Sequence, residues 1–517
     1  MTETWNRKKL FRETLFLSIC SVGLQGLGLL LNIFLTRKLG AASVGELTLI
    51  GSFYGLAAVL SGGGGFTAAS RFLSEEMGCG GDPHRVYQYI VRFCLALSIF
   101  AAAILCIFAD LPARLLHQTV PDANTVRFLS ISLPAAALLA CLKGRCYAYQ
   151  RVYLPAVSEC IEFFVRACTL AFCTVFLIPQ GRMTLLTAFA AAALLGQGSA
   201  VLFLAVIRMP RRARCAVCSF TFRGFIRKVM PIIGNASLVA ILSSTNDALV
   251  PLTLLQFGNS TEEALAQFGA FEAIIIPTLF FPSVIQCCMS GLIVPVLSRA
   301  NAENDRSQIR VLTERVLEQT IAYALFIVLI LMHSGMEIGT LLGGDAFTGK
   351  VLRQMAPVVP LIYLEIIMEG ILRGLGKHNF STVNYLAEYL VRISVLLICV
   401  PLFGFYGIAA SYMACNLTGN AVRLYFVLRQ TELKPVWRRI IIRPVFALVI
   451  SWQVCTLGQH LLARFHLHPL AETVIYLVCC GGMYYGLLRL LNRRADSAGS
   501  AGLPAANGAK QKPQTAA

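Results

Sequence analysis

Apolar residues occur in fourteen long runs along the chain, separated by short polar segments. Each run contains about 20 residues, the length that an α-helix needs to cross the hydrocarbon core of a bilayer. The runs are centred near residues 24, 55, 98, 135, 166, 194, 242, 282, 329, 363, 392, 416, 450 and 479. The pattern predicts an all-α polytopic membrane protein with about 14 transmembrane helices. The first run lacks a small-residue cleavage site, so it is predicted to be a retained helix and not a signal peptide.

Two of these runs contain an acidic and a basic residue at the same spacing. Glu162 and Arg166 lie in the fifth run, and Glu388 and Arg392 lie in the eleventh. A charge in the middle of a span costs about 2.5–3.5 kcal/mol on insertion scales, so these residues are expected to have a role. The two pairs are 226 residues and six spans apart. Because six is even, both copies cross the membrane in the same direction, which indicates a parallel internal repeat.

The repeat predicts two six-helix lobes followed by two additional C-terminal helices. The expected divisions are an N-terminal lobe (1–207), a basic cytoplasmic linker (208–228), a C-terminal lobe (229–430), two additional transmembrane helices (431–491) and a cytoplasmic tail (492–517). The tail is rich in Ala, Gly, Ser and Pro, a composition typical of disordered segments.

Composition and charge support a membrane protein of defined orientation. Hydrophobic residues make up 57% of the chain and charged residues 14%, whereas soluble domains contain about a quarter charged residues. With a cytoplasmic N-terminus, 32 of the 44 Lys and Arg residues fall on the cytoplasmic side, 8 on the outside and 4 within spans. This bias predicts that both termini are cytoplasmic. The net charge of +18 is therefore explained by orientation and by contact with anionic membrane lipids, and no nucleic-acid-binding module is visible.

The orientation can be tested at two loops. The segment 208–230 joins the sixth and seventh runs and carries seven cations and no acidic residue, so it should be cytoplasmic. Single cysteines introduced as Arg212→Cys and Ser260→Cys should react differently with a membrane-impermeant reagent applied to intact cells. We expect labelling at position 260 and none at 212. The reverse pattern would show that the predicted orientation is inverted.

Metal and nucleotide motifs are weak in this sequence. Most of the 18 cysteines lie in apolar runs, where cysteine behaves as a small hydrophobic residue. Cys215 and Cys218 have C-x-x-C spacing but no second ligand pair nearby, so neither a metal nor another cofactor is predicted. The glycines of "SGGGGFTAAS" (61–70) lack the G-K-[ST] that follows in a phosphate-binding loop. They instead predict a bend or close helix packing in the second span.

Three segments carry a resemblance to a known family. They are "KGRCYAYQRVYLPAVSECIEFFVR" (143–166), "FPSVIQCCMSGLIVPVLSRANAEND" (281–305) and "GILRGLGKHNFSTVNYLAEYLVR" (370–392). Their order and spacing resemble polysaccharide biosynthesis proteins of the stage V sporulation protein B type. These belong to the multidrug/oligosaccharidyl-lipid/polysaccharide (MOP) exporter superfamily, with the lipid II flippases and the multidrug and toxic-compound extruders (MATE).

The resemblance implies a mechanism and a location. It implies two six-helix lobes around a central cavity and alternating access between the two sides of a bacterial cytoplasmic membrane. The implied substrate is a polyprenyl-linked saccharide that moves from the cytoplasmic to the outer leaflet. Coupling to an H⁺ or Na⁺ gradient, or to the membrane potential, is an expectation of the same kind. Neither the sequence nor the resemblance predicts an oligomeric state.

The paired charges are the candidate substrate site. Arg166 and Arg392 each lie about 12 residues from the predicted cytoplasmic end of their span, roughly 18 Å deep at 1.5 Å per residue. Two guanidinium groups near the midplane could hold a diphosphate by bidentate hydrogen bonds. Glu162 and Glu388, each four residues earlier, share a helix face with their arginine and are expected to pair with it until phosphate displaces them; Glu159 is a further candidate. Alternatively, the pairs are purely structural.

Other acidic residues are candidates for ion coupling. Asn246 and Asp247 lie in the seventh span, where they could bind a coupling cation or instead bond a neighbouring helix. Glu365 and Glu369 form a like-charged i, i+4 pair in the tenth span, which favours a proton or cation site. Arg373, four residues after Glu369, offers a structural alternative. Three further polar residues are candidates only for lining a cavity: Gln25, Asn32 and Glu272.

Three classes of function fit an architecture of this kind. A flippase for a lipid-linked saccharide fits best, because midplane arginines suit a phosphate and repel the cations that multidrug exporters carry. A cation-coupled, MATE-like multidrug exporter is the alternative. A membrane-embedded glycosyltransferase or ligase fits least, because every outside loop is short and no Ser/His/Asp or metal constellation occurs. The chain is thus not predicted to be an enzyme.

One departure concerns the substrate. Lipid II flippases typically carry cavity cations on their first, second and eighth helices. The corresponding spans of this chain, 13–36, 45–70 and 266–298, contain no Lys or Arg. The sequence therefore favours a polyprenyl-linked saccharide other than lipid II, or another anionic amphiphile.

Overall fold

The computed structural model describes residues 7–62, 64–78, 82–109, 123–149, 151, 153–181, 183–207, 222–342, 346–433, 435–462 and 478–491. Helices account for nearly all of these residues, and no strand occurs among them. Within the described residues, each of the fourteen apolar runs contains a helix, which confirms the predicted all-α polytopic fold. The predicted tail and most of the linker lie outside the described residues.

We number the helices by the predicted spans. They are α1 (Arg7–Leu39), α2 (Ala41–Gly62 and Gly65–Gly78), α3 (Pro83–Ile107), α4 (Ala123–Ala148), α5 (Tyr153–Leu177), α6 (Leu185–Val206), α7 (Phe222–Phe257), α8 (Thr261–Ala302), α9 (Arg306–Leu341), α10 (Ala346–Gly374), α11 (His378–Phe403), α12 (Phe405–Thr431), α13 (Arg438–Leu462) and α14 (Val478–Leu491). In the described chain, twelve are long and apolar enough to cross a membrane. Of the other two, α12 is rich in polar residues and α14 is a shorter apolar helix.

Glycines let α2 pack closely against α4. The helix consists of two pieces, Ala41–Gly62 and Gly65–Gly78. A Cβ added at Gly62 would lie 2.7 Å from the Cβ of Ala137, and one at Gly65 would lie 3.0 Å from the Sγ of Cys141. The interruption of α2 and this packing both match the interpretation of the glycine run.

Apolar clusters hold the two halves of the chain together. The largest cluster contains residues from every helix between α7 and α12. In it, the ring of Phe271 meets that of Phe405 edge to face, with 5.9 Å between the ring centroids. Leu49 of α2 belongs to the same cluster, although its helix lies in the first half. Conversely, Val229 of α7 is buried in a cluster of the first half that includes Phe72. The halves therefore pack directly against each other through α2 and α7.

The start of α2 also meets the start of α8, where the two backbones touch. A Cβ added at Gly45 would lie 2.0 Å from the carbonyl oxygen of Leu265, and one at Gly269 would lie 2.4 Å from that of Ala41. Only glycine permits so close an approach. Directly after Gly269, α8 widens into a π-helical segment, Ala270–Ile275, which carries Glu272. Such segments are frequent at functional sites.

Candidate functional site

A buried arginine surrounded by three glutamates forms the densest polar group in the described chain. Arg423 of α12 has no exposed surface. Its Nη2 lies 2.9 Å from Glu388 Oε1 and 3.7 Å from Glu365 Oε1, and its Nε lies 3.2 Å from Glu369 Oε1. The guanidinium also lies over the ring of Tyr385, at 4.8 Å from its centroid. We call Arg423 and the three glutamates the Arg423 cluster; it joins α10, α11 and α12.

Neighbouring residues fix the carboxylates of this cluster. Asn384 Nδ2 donates to Glu388 Oε1 at 2.7 Å, and the hydroxyl of Ser381 donates to Glu369. Gly419 leaves the space that Glu388 fills, because a Cβ there would lie 1.7 Å from Glu388 Oε1. Glu388 can thus reach across to α12 only because residue 419 has no side chain.

The predicted pairing of Glu388 with Arg392 is wrong. Glu388 pairs with Arg423, whereas Arg392 Nη2 lies 3.6 Å from Glu272 Oε1 and its guanidinium lies 5.0 Å from the centroid of the Tyr412 ring. The i, i+4 spacing places both residues on one side of α11, but that side faces two neighbours. Glu388 extends toward α12 and Arg392 toward α8. Within the described structure Arg392 Nε has no hydrogen-bond partner.

The equivalent pairing in the first half is also wrong. Glu162 Oε2 lies 3.4 Å from Nζ of Lys143 on α4, and the same amine lies 3.4 Å from Glu159 Oε1. Arg166 is half-buried, and no carboxylate of the described residues lies within the 4.0 Å salt-bridge distance. Its guanidinium lies 5.9 Å from the centroid of the Phe163 ring. Lys143 takes the role expected of Arg166, because α4 packs beside α5, and Arg166 is left without an acidic partner.

The candidate residues of α7 lie where the two halves meet. Ser52 Oγ of α2 donates to Asp247 Oδ2 at 2.6 Å, and Asn246 Nδ2 donates to Asp247 Oδ1 at 3.1 Å. Asp247 therefore links the two halves. Of the residues predicted to line a cavity, Asn32 donates to the backbone oxygen of Ala273 at 3.1 Å, next to Glu272, whereas Gln25 is exposed on α1.

Sequence reasoning counted Arg423 among the span cations but assigned it no role. It also did not foresee the partner Lys143. The internal repeat contains a usable signal, because a shift of 226 residues relates six positions on equivalent helices. These positions pair Lys143 with Glu369, Glu162 with Glu388 and Gln197 with Arg423. In each half, one cation and at least one acid from this set form an ion pair, which is partly buried in the first half and fully buried at Arg423 in the second. The cation lies on a different helix in each half.

The structural alternative proposed for Glu369 has some support. Arg373 Nε lies 3.9 Å from Glu369 Oε2, a longer separation than that between Glu369 and Arg423. The Arg373 side chain is more than half exposed, so water weakens this interaction. Glu369 therefore interacts mainly with Arg423, and Glu365 faces the same arginine. This shared cation lessens the like-charge repulsion expected from the i, i+4 spacing of the two glutamates.

Comparisons with known proteins agree with this architecture. No family model matches the sequence. Stage V sporulation protein B of Bacillus subtilis (strain 168) is 20% identical over 417 residues, which cover 78% of this chain and 80% of that protein. The lipid II flippase MurJ in an inward closed conformation matches with a TM-score of 0.72 at 14% identity, over 93% of this chain and 100% of that one.

A MATE family multidrug resistance transporter of the MOP superfamily, in its inward-facing conformation, is a further structural match. Its TM-score is 0.61 at 15% identity, and the match covers 79% of this chain and 94% of that one. The chain is thus similar in sequence to stage V sporulation protein B and shares the polytopic helical fold of the flippase and of the MOP-superfamily transporter.

Proposed function

We propose that the protein is a flippase that moves a lipid-linked saccharide precursor across the bacterial cytoplasmic membrane by alternating access. The observation that carries this proposal is Arg166, a half-buried guanidinium near the middle of α5 with no carboxylate beside it in the described chain. An unpaired cation at that depth is costly unless an anion binds it. A phosphate oxygen pair matches the planar fork of arginine.

The extent of the fold supports the same proposal. Helices α13 and α14 extend the chain beyond a twelve-helix core, and the match to the lipid II flippase covers all of that protein. The MATE structures are matched over a smaller share of this chain, 79% in the inward-facing case. The lack of Lys and Arg in 13–36, 45–70 and 266–298 favours a polyprenyl-linked saccharide other than lipid II. The two solved structures compared above are a flippase and a multidrug transporter.

The Arg423 cluster is the proposed ion-coupling site. Three carboxylates face one guanidinium, so acidic groups outnumber cations in a buried place. A proton or a small cation such as Na⁺ would offset this imbalance. Asn246 and Asp247 are a second candidate for the same role, because their link to Ser52 connects cation binding to contact between the two halves.

A MATE-like exporter of organic cations is the second candidate function. The excess of carboxylates in the C-terminal half favours it, because a cationic drug would be attracted to such a site. The two candidate functions predict substrates of opposite charge. The flippase would bind an anionic substrate near Arg166, and the exporter would bind a cationic one near the Arg423 cluster. A single transport experiment can therefore separate them.

We expect Arg166→Gln to slow the flipping of a fluorescent undecaprenyl diphosphate-linked saccharide in proteoliposomes by about 10- to 100-fold. This range corresponds to about 1.5–3 kcal/mol for hydrogen bonds to a charged group. Thermal stability should change little, because no carboxylate loses its partner. Arg166→Lys should retain part of the activity, since it keeps the charge and loses the bidentate fork.

Arg71→Gln is the matched control. Arg71 forms an exposed i, i+4 pair with Glu75 and should leave flipping unchanged. If Arg166→Gln flips the probe at the wild-type rate, Arg166 does not receive the phosphates. Ethidium efflux by proteoliposomes that do not move the saccharide probe would favour the exporter instead.

A further inference from the structure

A cavity of about 490 Å³ lies between α8, α9, α13 and α14, away from the Arg423 cluster. It forms where the two additional C-terminal helices pack against the core. Its walls combine apolar and charged side chains. They include Gln286, Met289, Arg315, Glu318, Arg439 and Leu488. The cavity is thus neither a purely apolar groove nor part of the candidate substrate site.

Gln286 is a buried polar side chain without a partner. It has no exposed surface, and neither its Nε2 nor its Oε1 has a hydrogen-bond partner in the described structure. Buried amides are almost always hydrogen-bonded, because leaving their bonds unmade is costly. Gln286 offers a donor and an acceptor to the cavity. A hydroxyl group, which can accept one bond and donate another, satisfies both.

The charged residues around the cavity favour a ligand that carries a single negative charge. Arg439 Nε lies 3.0 Å from Glu318 Oε2, and this pair is neutral overall. Arg315 is exposed and takes part in no ion pair within the described residues. The cavity therefore has a formal charge of +1. A phosphodiester, with its single negative charge, matches this value.

The position of Arg315 along α9 places this cation at the level of the lipid headgroups. α9 contains 36 residues, and at 1.5 Å per residue this is roughly 54 Å, well beyond the hydrocarbon thickness of about 30 Å. Its first turns must therefore extend outside the hydrocarbon. Arg315 lies nine residues after Arg306, roughly 14 Å from the start of the helix. This is the end of α9 that the cation distribution assigns to the cytoplasm.

We propose that this cavity binds the headgroup of one anionic phospholipid of the cytoplasmic leaflet, of the phosphatidylglycerol class. Its phosphodiester lies against Arg315 and Arg439, and a glycerol hydroxyl bonds the amide of Gln286. The acyl chains follow the apolar residues of α8 and α14, such as Met289 and Leu488. The lipid then connects α13 and α14 to α9 without being transported.

Native mass spectrometry of the full chain tests this proposal with phosphatidylglycerol and phosphatidylcholine of identical acyl chains. The wild type should retain one phosphatidylglycerol in preference to phosphatidylcholine. Arg315→Gln should weaken that binding about tenfold, as expected for the loss of one charged hydrogen bond. Arg310→Gln is the matched control, because it removes the same charge from the same helix where Arg310 pairs with Glu432, outside the cavity.

Gln286→Leu tests the role of the hydroxyl. This variant removes no hydrogen bond from the described structure, so it should fold normally. It should also lose the preference for phosphatidylglycerol over phosphatidic acid, whose headgroup has no glycerol. Three outcomes would overturn the proposal: equal binding of phosphatidylcholine, equal weakening by Arg310→Gln, or an unchanged preference in Gln286→Leu. If soluble glycerophosphoglycerol raises the melting temperature as much as the lipid does, the ligand is a free phosphodiester and not a lipid.

Discussion

Arg423→Gln should lower the stability of the folded protein by about 3–5 kcal/mol, the usual cost of breaking a buried ion pair. The arginine is fully buried and is within 4 Å of three carboxylates. Without it, Glu365 and Glu388 have no other cation within 4 Å among the described residues, and Glu369 keeps only the more distant, exposed Arg373. Thermal unfolding of the purified protein in detergent would measure the loss. Arg299→Gln is the control, because Arg299 is 61% exposed, its pair with Glu303 lies at the surface, and such pairs contribute about 0–1 kcal/mol.

A combined variant makes this prediction specific. Adding Glu369→Gln and Glu388→Gln to Arg423→Gln removes two of the stranded charges, so it should recover much of the lost stability. A loss as small as that of Arg299→Gln would show that the cluster is not an ionic assembly. The same would follow if the combined variant were no more stable than Arg423→Gln alone.

We expect Gly45→Ala to loosen the contact between α2 and α8. Its new Cβ would lie 2.0 Å from the backbone oxygen of Leu265, and backbone cannot move aside as a flexible side chain can. Overpacking of this kind costs about 1–3 kcal/mol. Hydrogen exchange should therefore increase at the start of α2 and along residues 261–269 of α8, and the melting temperature should fall.

Gly55→Ala provides the comparison on the same helix. A Cβ at Gly55 meets nothing within 4 Å, so this variant should match or exceed the wild-type stability, with a gain of about 0.5–1 kcal/mol from helix propensity. If Gly45→Ala and Gly55→Ala have the same melting temperature and the same hydrogen-exchange rates, α2 and α8 do not touch at Gly45 in the purified protein.

The fourteen helices could be predicted because the length of an apolar run is a local property. A run of about 20 residues needs a helix to cross the bilayer, whatever its neighbours are. The polar positions were found for the same reason, since a charge stands out within an apolar run. Glu365 and Glu369 were identified in this way, and the structure shows that they face a common cation.

The partners of these residues could not be predicted from spacing within one helix. Glu388 and Arg392 lie on one side of α11, but two different helices pack there, and each takes one residue. The choice depends on Gly419, which leaves room for Glu388, and this residue lies 31 positions later. Arg423 gave little signal by itself, because it lies in the most polar of the twelve core spans. Only the comparison of the two repeats marks its position.

The contact between Gly45 and Gly269 has a consequence for how the two halves can separate. No hydrogen bond of the described residues joins these glycines, and nearby polar links between the halves run from Arg37 to the backbone oxygen of Leu341 and from Asn32 to the backbone oxygen of Ala273. Dispersion forces act over a very short range, so a small displacement removes most of their attraction. Opening there must also separate Leu49 of α2 from Leu265 and Phe268 of α8, which belong to one apolar cluster. Once the two halves are slightly apart at this point, the glycine contact should therefore do little to draw them together again.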